Sequence, residues 1–147
     1  MQNNNSMKRP LSEEELATVA GGAGGGAISS GTFRSDSGTN LNIVVNWSVN
    51  ADSMGGKKLD LVVSTDSYSL YTQALAEGVT VTVNGMPYTA SALAISYDGA
   101  AKALNKLAEF SIPNFPGTAT VVATWHFNGS YSGAGIRDIV ATGMVTG

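Results

Sequence analysis

An all-β fold is what the sequence predicts: an antiparallel β-sandwich of about seven to nine strands, preceded by a short N-terminal helix and a glycine-rich linker. Three observations carry this expectation. From residue 41 onward apolar side chains recur every second position in several separate stretches. Asn-Gly pairs at 84–85 and 128–129 follow two of these stretches, as tight hairpin turns do. Helical spacing is confined to residues 11–22 and to one short stretch near residue 100.

Taken in order, residues 23–31 (AGGGAISSG) are small and flexible in composition and read as a linker, with a lead-in up to residue 39. In Leu41–Val49, Leu41, Ile43, Val45, Trp47 and Val49 alternate with Asn42, Val44, Asn46 and Ser48, a strand with one buried face. Leu59, Leu61 and Val63 form a second such row, and Tyr68–Gln73 offers a third strand. Val79, Val81 and Val83 run into Asn84-Gly85, with the return strand within Tyr88–Tyr97. Ala119, Val121, Ala123, Trp125 and Phe127 lead to Asn128-Gly129, after which Ile136–Val145 returns. Gly99–Ala108 suits either a crossing helix, with Ala103, Leu104 and Leu107 at helical spacing, or an edge strand continuing through Phe110 and Ile112. Pro113 and Pro116 then impose a loop.

The first 22 residues have a different logic. Ser12 and Glu15 are spaced as a capping box, in which each side chain accepts from the other's backbone amide, and Leu11 and Leu16 flank it as a hydrophobic staple. Glu13, Glu14 and Glu15 place negative charge at the positive end of the helix dipole. Leu16 and Val19 share one face, and Gly21-Gly22 ends the helix. Such a helix is too short to persist alone and suits folding as it docks in a groove.

The pattern Leu11-Ser12-x-x-Glu15-Leu16-x-x-Val19-x-Gly21-Gly22 resembles the double-glycine leaders of bacteriocins, microcins and related secreted bacterial peptides. The resemblance covers about 12 residues. It implies that a peptidase-containing ABC transporter docks on Leu11, Ser12, Glu15, Leu16 and Val19. It also implies cleavage between Gly22 and Ala23, where Gly21 and Gly22 thread a cleft too narrow for side chains. The expected division is a leader over residues 1–22, with translation starting at Met1 or Met7, a linker and lead-in over 23–39, and a cargo domain over 40–147.

Composition narrows the rest. The 147 residues, 43% of them apolar, suffice for one domain with a core. No stretch approaches the roughly 18 apolar residues of a membrane-spanning helix, so no membrane span is expected. Of the eleven acidic and eight basic side chains, three and two lie in the first 22 residues. The remainder thus carries a net −2, which argues against a nucleic-acid partner. The absence of cysteine rules out disulfides and thiol chemistry.

Catalytic and metal sites are not expected. His126 is the lone histidine, so a two-histidine metal site cannot form. A serine, His126 and Asp138 make a triad only on paper, because no Gly-x-Ser-x-Gly elbow is present. Asp36, Asp52, Asp66 and Asp98 are read as turn residues without the spacing of a calcium loop. Tyr68, Tyr71, Tyr97 and Tyr131, with the amides Gln73 and Asn128, form a candidate ligand surface with the chemistry of sugar recognition.

The expected function is therefore that of a precursor made in the cytoplasm and secreted by the double-glycine route. Its mature part would be a non-enzymatic, cofactor-free extracellular protein of a biofilm matrix, an adhesive surface or an assembly. The alternatives are a bacteriocin-like toxin and a lectin-like carbohydrate-binding module. Self-association through strand edges is expected if the uncharged stretches Leu41–Val49 or Thr118–Phe127 lie at an edge.

Overall fold

Alternating apolar residues need a common core to bury them, and the chain builds one from antiparallel strands. The computed structural model describes residues 27–36 and 40–147. Within them the strands are β1 (Ser29–Arg34), β2 (Asn42–Ala51), β3 (Lys57–Ser67), β4 (Leu70–Thr72), β5 (Leu75–Val83), β6 (Met86–Ala92), β7 (Ile95–Tyr97), β8 (Ala103–Pro113), β9 (Thr118–Trp125), β10 (Gly129–Tyr131), β11 (Ala134–Ile136) and β12 (Ile139–Thr146). One four-stranded sheet runs β1-β2-β3-β8 and the other β12-β9-β5-β6, while β4-β7 and β10-β11 are two-stranded ribbons. The fold is all-β and antiparallel, with eight strands in the two large sheets and four short ones in the ribbons. The leader residues Leu11, Ser12, Glu15, Leu16, Val19, Gly21, Gly22 and Ala23 lie outside the described residues.

Both sheets contribute to one apolar cluster. Ile43, Val45, Trp47 and Val49 of β2 and Leu59, Leu61 and Val63 of β3 join Val79 and Val81 of β5, Val121, Ala123 and Trp125 of β9, and Ile139 and Val145 of β12. The expectation of a single buried face on β2 needs correction, because Val44, Asn46 and Ser48 on its other face are also fully buried. β2 is a central strand with neighbours on both sides. Thr32 Oγ1 donates to Asn46 Oδ1 at 2.7 Å, and the Arg34–Asp66 ion pair spans from β1 to β3 across β2.

The structure also departs from the sequence reading at β1 and at the second hairpin, and it decides two alternatives that the sequence left open. β1 occupies Ser29–Arg34, inside the stretch read as linker and lead-in; its little apolar surface is compensated by a full ladder to β2, from Ser29↔Val49 to Arg34↔Val44. Of the two readings of Gly99–Ala108, the edge strand holds: β8 starts at Ala103, continues through Phe110 and Ile112, and pairs with β3 at the edge of its sheet. The register shifts where Val63 faces Ala108 and Ser64 faces Lys106, leaving Leu107 as an extra residue. That bulge buries Leu107 and Ala108 in succession and so imitates helical spacing.

Asn84-Gly85 closes the β5–β6 hairpin as expected, with both residues at positive φ (49° and 86°). Asn128-Gly129 does not join β9 to its return strand. Asn128 takes φ 44° at a kink, and the chain reverses instead at Ser132-Gly133 (φ 52° and 78°), between β10 and β11. Finally, Leu41–Val49 and Thr118–Phe127 contribute the central strands β2 and β9, so neither offers an open edge; the edges belong to β1, β8, β12 and β6.

Candidate functional site

Two short ribbons meet at one end of the molecule, and the period-two alternation of a strand decides which of their side chains point outward. In β4, Leu70 turns into the core while Tyr71 stands 64% exposed, and Tyr68 precedes the strand at 42%. The β10–β11 ribbon brings Ser130, Tyr131 and Ser132 alongside. Tyr68, Tyr71, Ser130, Tyr131 and Ser132 line a depression of about 480 Å³. A second depression, of about 320 Å³, is lined by Tyr71, Gln73, Leu75, Trp125, His126 and Phe127, with Ser130 at its rim. Tyr71 and Ser130 border both, so the two depressions adjoin and are together called the trough.

Three of the four expected tyrosines are thus assembled. Tyr97 is the exception and is corrected here: it faces Leu70 in the β4–β7 ladder, is half-buried, and donates its hydroxyl to the Ala101 carbonyl at 2.5 Å. Its phenol is already used to fix a turn. Asn128 is likewise turned away, since its Nδ2 donates to Asp138 Oδ1 at 3.2 Å. Gln73 does line the trough.

Sequence reasoning missed the wall formed by Trp125, His126 and Phe127. The rings of Trp125 and Phe127 lie 4.9 Å apart at 57°, a tilted aromatic pair that places Phe127 beside the trough. Ser130 and Ser132 were missed because the reversal was expected two residues before Ser130. The Ser132-Gly133 pair was the available signal.

His126 and Asp138 do come together. Asp138 Oδ2 lies 3.1 Å from His126 Nδ1, and His126 Nε2 lies 3.1 Å from Thr80 Oγ1. Carboxylate, imidazole and hydroxyl stand in the order of a nucleophilic triad, but the hydroxyl is that of Thr80 and not of a serine. Thr80 sits mid-strand with ladders to β6 and β9 on either side. Its backbone therefore serves the sheet and does not point at a reacting oxygen. The arrangement fastens the 128–138 excursion to the sheet. Asp138→Ala is expected to speed amide exchange across 129–136 while changing global stability by less than about 1 kcal/mol, because the pair is partly exposed. Hydrogen exchange read by mass spectrometry checks this; unchanged exchange there would show that the contact restrains nothing.

The aspartates fall into separate roles. Asp52 Oδ1 accepts from the amides of Met54 and Gly56, both at 2.8 Å, and so closes its own turn. Asp66, expected in a turn, is a strand residue paired with Arg34. Asp98 accepts from Ser69 Oγ at 3.2 Å. Among the described residues no group of three His, Asp or Glu side chains is placed to hold a metal ion, and no helix is long and apolar enough to cross a membrane.

No family model, curated protein or solved structure matches this chain.

Proposed function

We propose that the chain is a secretory precursor, exported from the cytoplasm and cleaved after Gly22 by a peptidase-containing ABC transporter. Its mature part would be a non-enzymatic extracellular protein of a matrix, an adhesive surface or an assembly. The observation that carries the export reading is the register of Leu11, Leu16 and Val19 against Gly21-Gly22. The strand positions are compatible with it: among the described residues the earliest strand starts at Ser29, so a cut before Ala23 leaves every described strand intact. The two sheets with their common core are read as a β-sandwich, an architecture that suits an extracellular scaffold without disulfides.

The toxin reading is disfavoured by one element. Its candidate bilayer-active segment, Ala100–Ala108, overlaps strand β8, whose Leu107 and Ala108 are committed to the core. Assembly by strand pairing would engage the edge strands β1, β8, β6 or β12.

Mass spectrometry of culture supernatant tests the proposal. The secreted protein is expected to begin at Ala23, and Gly22→Val to cut its yield at least about tenfold, because a branched side chain cannot enter a cleft shaped for glycine. A supernatant protein that still begins at Met1 or Met7 would overturn the reading.

A further inference from the structure

We propose that the trough bordered by Tyr68, Tyr71 and Tyr131 binds an uncharged polysaccharide chain. This builds on the reading of the mature part as an extracellular adhesive or matrix component and names what it adheres to.

The first argument is the exposure of the rings. Tyr71 leaves 64% of its surface in solvent although its neighbour Leu70 is buried. A flat ring in that position offers its face to the axial C–H groups of a sugar, an apolar contact that hexoses make and most polar solutes do not. Tyr68 and Tyr131 line the same depression as Tyr71.

The second argument is unused hydrogen-bonding capacity. Among the described residues, Tyr97 spends its hydroxyl on Ala101. The phenols of Tyr68, Tyr71 and Tyr131, the amide of Gln73 and the hydroxyls of Ser130 and Ser132 make no such bond. These groups both donate and accept. Sugar hydroxyls do the same, so the match is chemical as well as steric.

Charge supplies the third argument. Among the described residues, no Asp, Glu, Lys or Arg lines either depression. An anionic glycan, a phosphate or a nucleic acid would find no cation inside the trough, and a cationic ligand no carboxylate. The charges beside it are already engaged: Asp138 with His126, Asp98 with Ser69, and Lys102 Nζ with the Tyr68 ring, 5.8 Å from its centroid.

The fourth is shape. The two depressions adjoin at Tyr71 and Ser130, so a ligand long enough to cross these residues reaches both. A linear polymer fills both, whereas a monosaccharide fills one. A polyproline peptide also suits an aromatic trough, but its backbone has no N–H to give. It would leave the acceptor half of the tyrosine, serine and glutamine groups unpaired, which disfavours it.

Native electrophoresis of the full chain through gels containing hydroxyethylcellulose, laminarin, dextran or soluble starch provides the test. Retardation is expected in at least one of these gels. Tyr71→Ala should weaken it at least about tenfold and Tyr68→Ala by less, as for anchor and flanking residues of a binding surface. Met144→Ala, an exposed position on β12 outside the trough, should leave it unchanged. Far-UV circular dichroism confirms that the variants fold. Migration unaffected by all four polymers, retardation that survives Tyr71→Ala, or a Trp125 fluorescence response to decaproline and not to the polysaccharides would each overturn the inference. Because the purified chain is used, these outcomes are independent of whether Gly22 is the cleavage site.

Discussion

Replacing Leu61 by alanine is expected to destabilise the protein by about 3 kcal/mol, within the range of roughly 2–5 kcal/mol for a leucine removed from a packed core. Leu61 is 1% exposed and stands mid-strand in β3, where the ladder sets it between Trp47 on one side and Phe110 on the other. Neighbours held in two ladders cannot close in on the void, so the cavity remains and adds to the lost transfer energy. A domain of this size should lose about 10 °C or more in melting temperature. Leu93→Ala, at a half-exposed leucine beyond β6, should by contrast stay within about 0.5 kcal/mol. Urea and thermal denaturation measure both, and equal losses would mean that the two sheets do not share the core described above.

Gly78→Val is expected to be nearly as damaging for the opposite reason. A Cβ at this position would lie 2.6 Å from the Cβ of Ala92 and 2.9 Å from the carbonyl oxygen of Leu75. One of these is backbone and the other a side chain with no torsion to escape by, so β5 and β6 must separate. Overpacking of this kind costs about 1–3 kcal/mol, and a branched residue falls at the upper end. The Gly78 carbonyl also accepts from the His126 amide at 2.9 Å. The damage should therefore reach the Trp125–Phe127 wall of the trough and shift tryptophan emission. Pairing Gly78→Ala with Ala92→Gly should recover part of the stability lost by Gly78→Ala alone, since it removes the nearer of the two contacts. No recovery would place the strain at Leu75 instead.

Strands that alternate without interruption were legible in the sequence. β2, β3, β5, β9 and β12 each set an apolar row against the common core, and period two survives because their ladders keep register there. β1 was not legible: SSGTFR carries a single large apolar residue, Phe33, and becomes a strand because β2 offers it a free edge. β8 was legible only as one of two alternatives, because its bulge at Leu107 imitates helical spacing. The second hairpin was placed too early because Asn128 adopts the positive φ that its type favours while serving a kink.

The trough was legible by residue type and not by membership. Tyr71 and Tyr97 look alike as letters, yet pairing Leu70 with Tyr97 sends one outward and commits the other to a turn. Bringing Tyr131 to Tyr68 depends on two ribbons some 60 positions apart in the chain, a juxtaposition no local pattern encodes. His126 and Asp138 were nominated together correctly, but their third partner proved to be a threonine on β5.

The meeting of β1 with β12 bears on when the protein acquires its shape. Ser29 Oγ donates to the Thr146 carbonyl at 2.6 Å across a separation of 117 residues, and Lys57 Nζ to the Gly147 carbonyl at 2.7 Å. The first sheet likewise waits for β8, which follows β4 to β7 in the chain. The second sheet cannot be completed without β12, the last strand in the chain, so loop-closure entropy is spent before many of the rewarding contacts exist. The shared core is therefore finished only when β12 is in place, on the millisecond-to-second scale of non-local β-proteins.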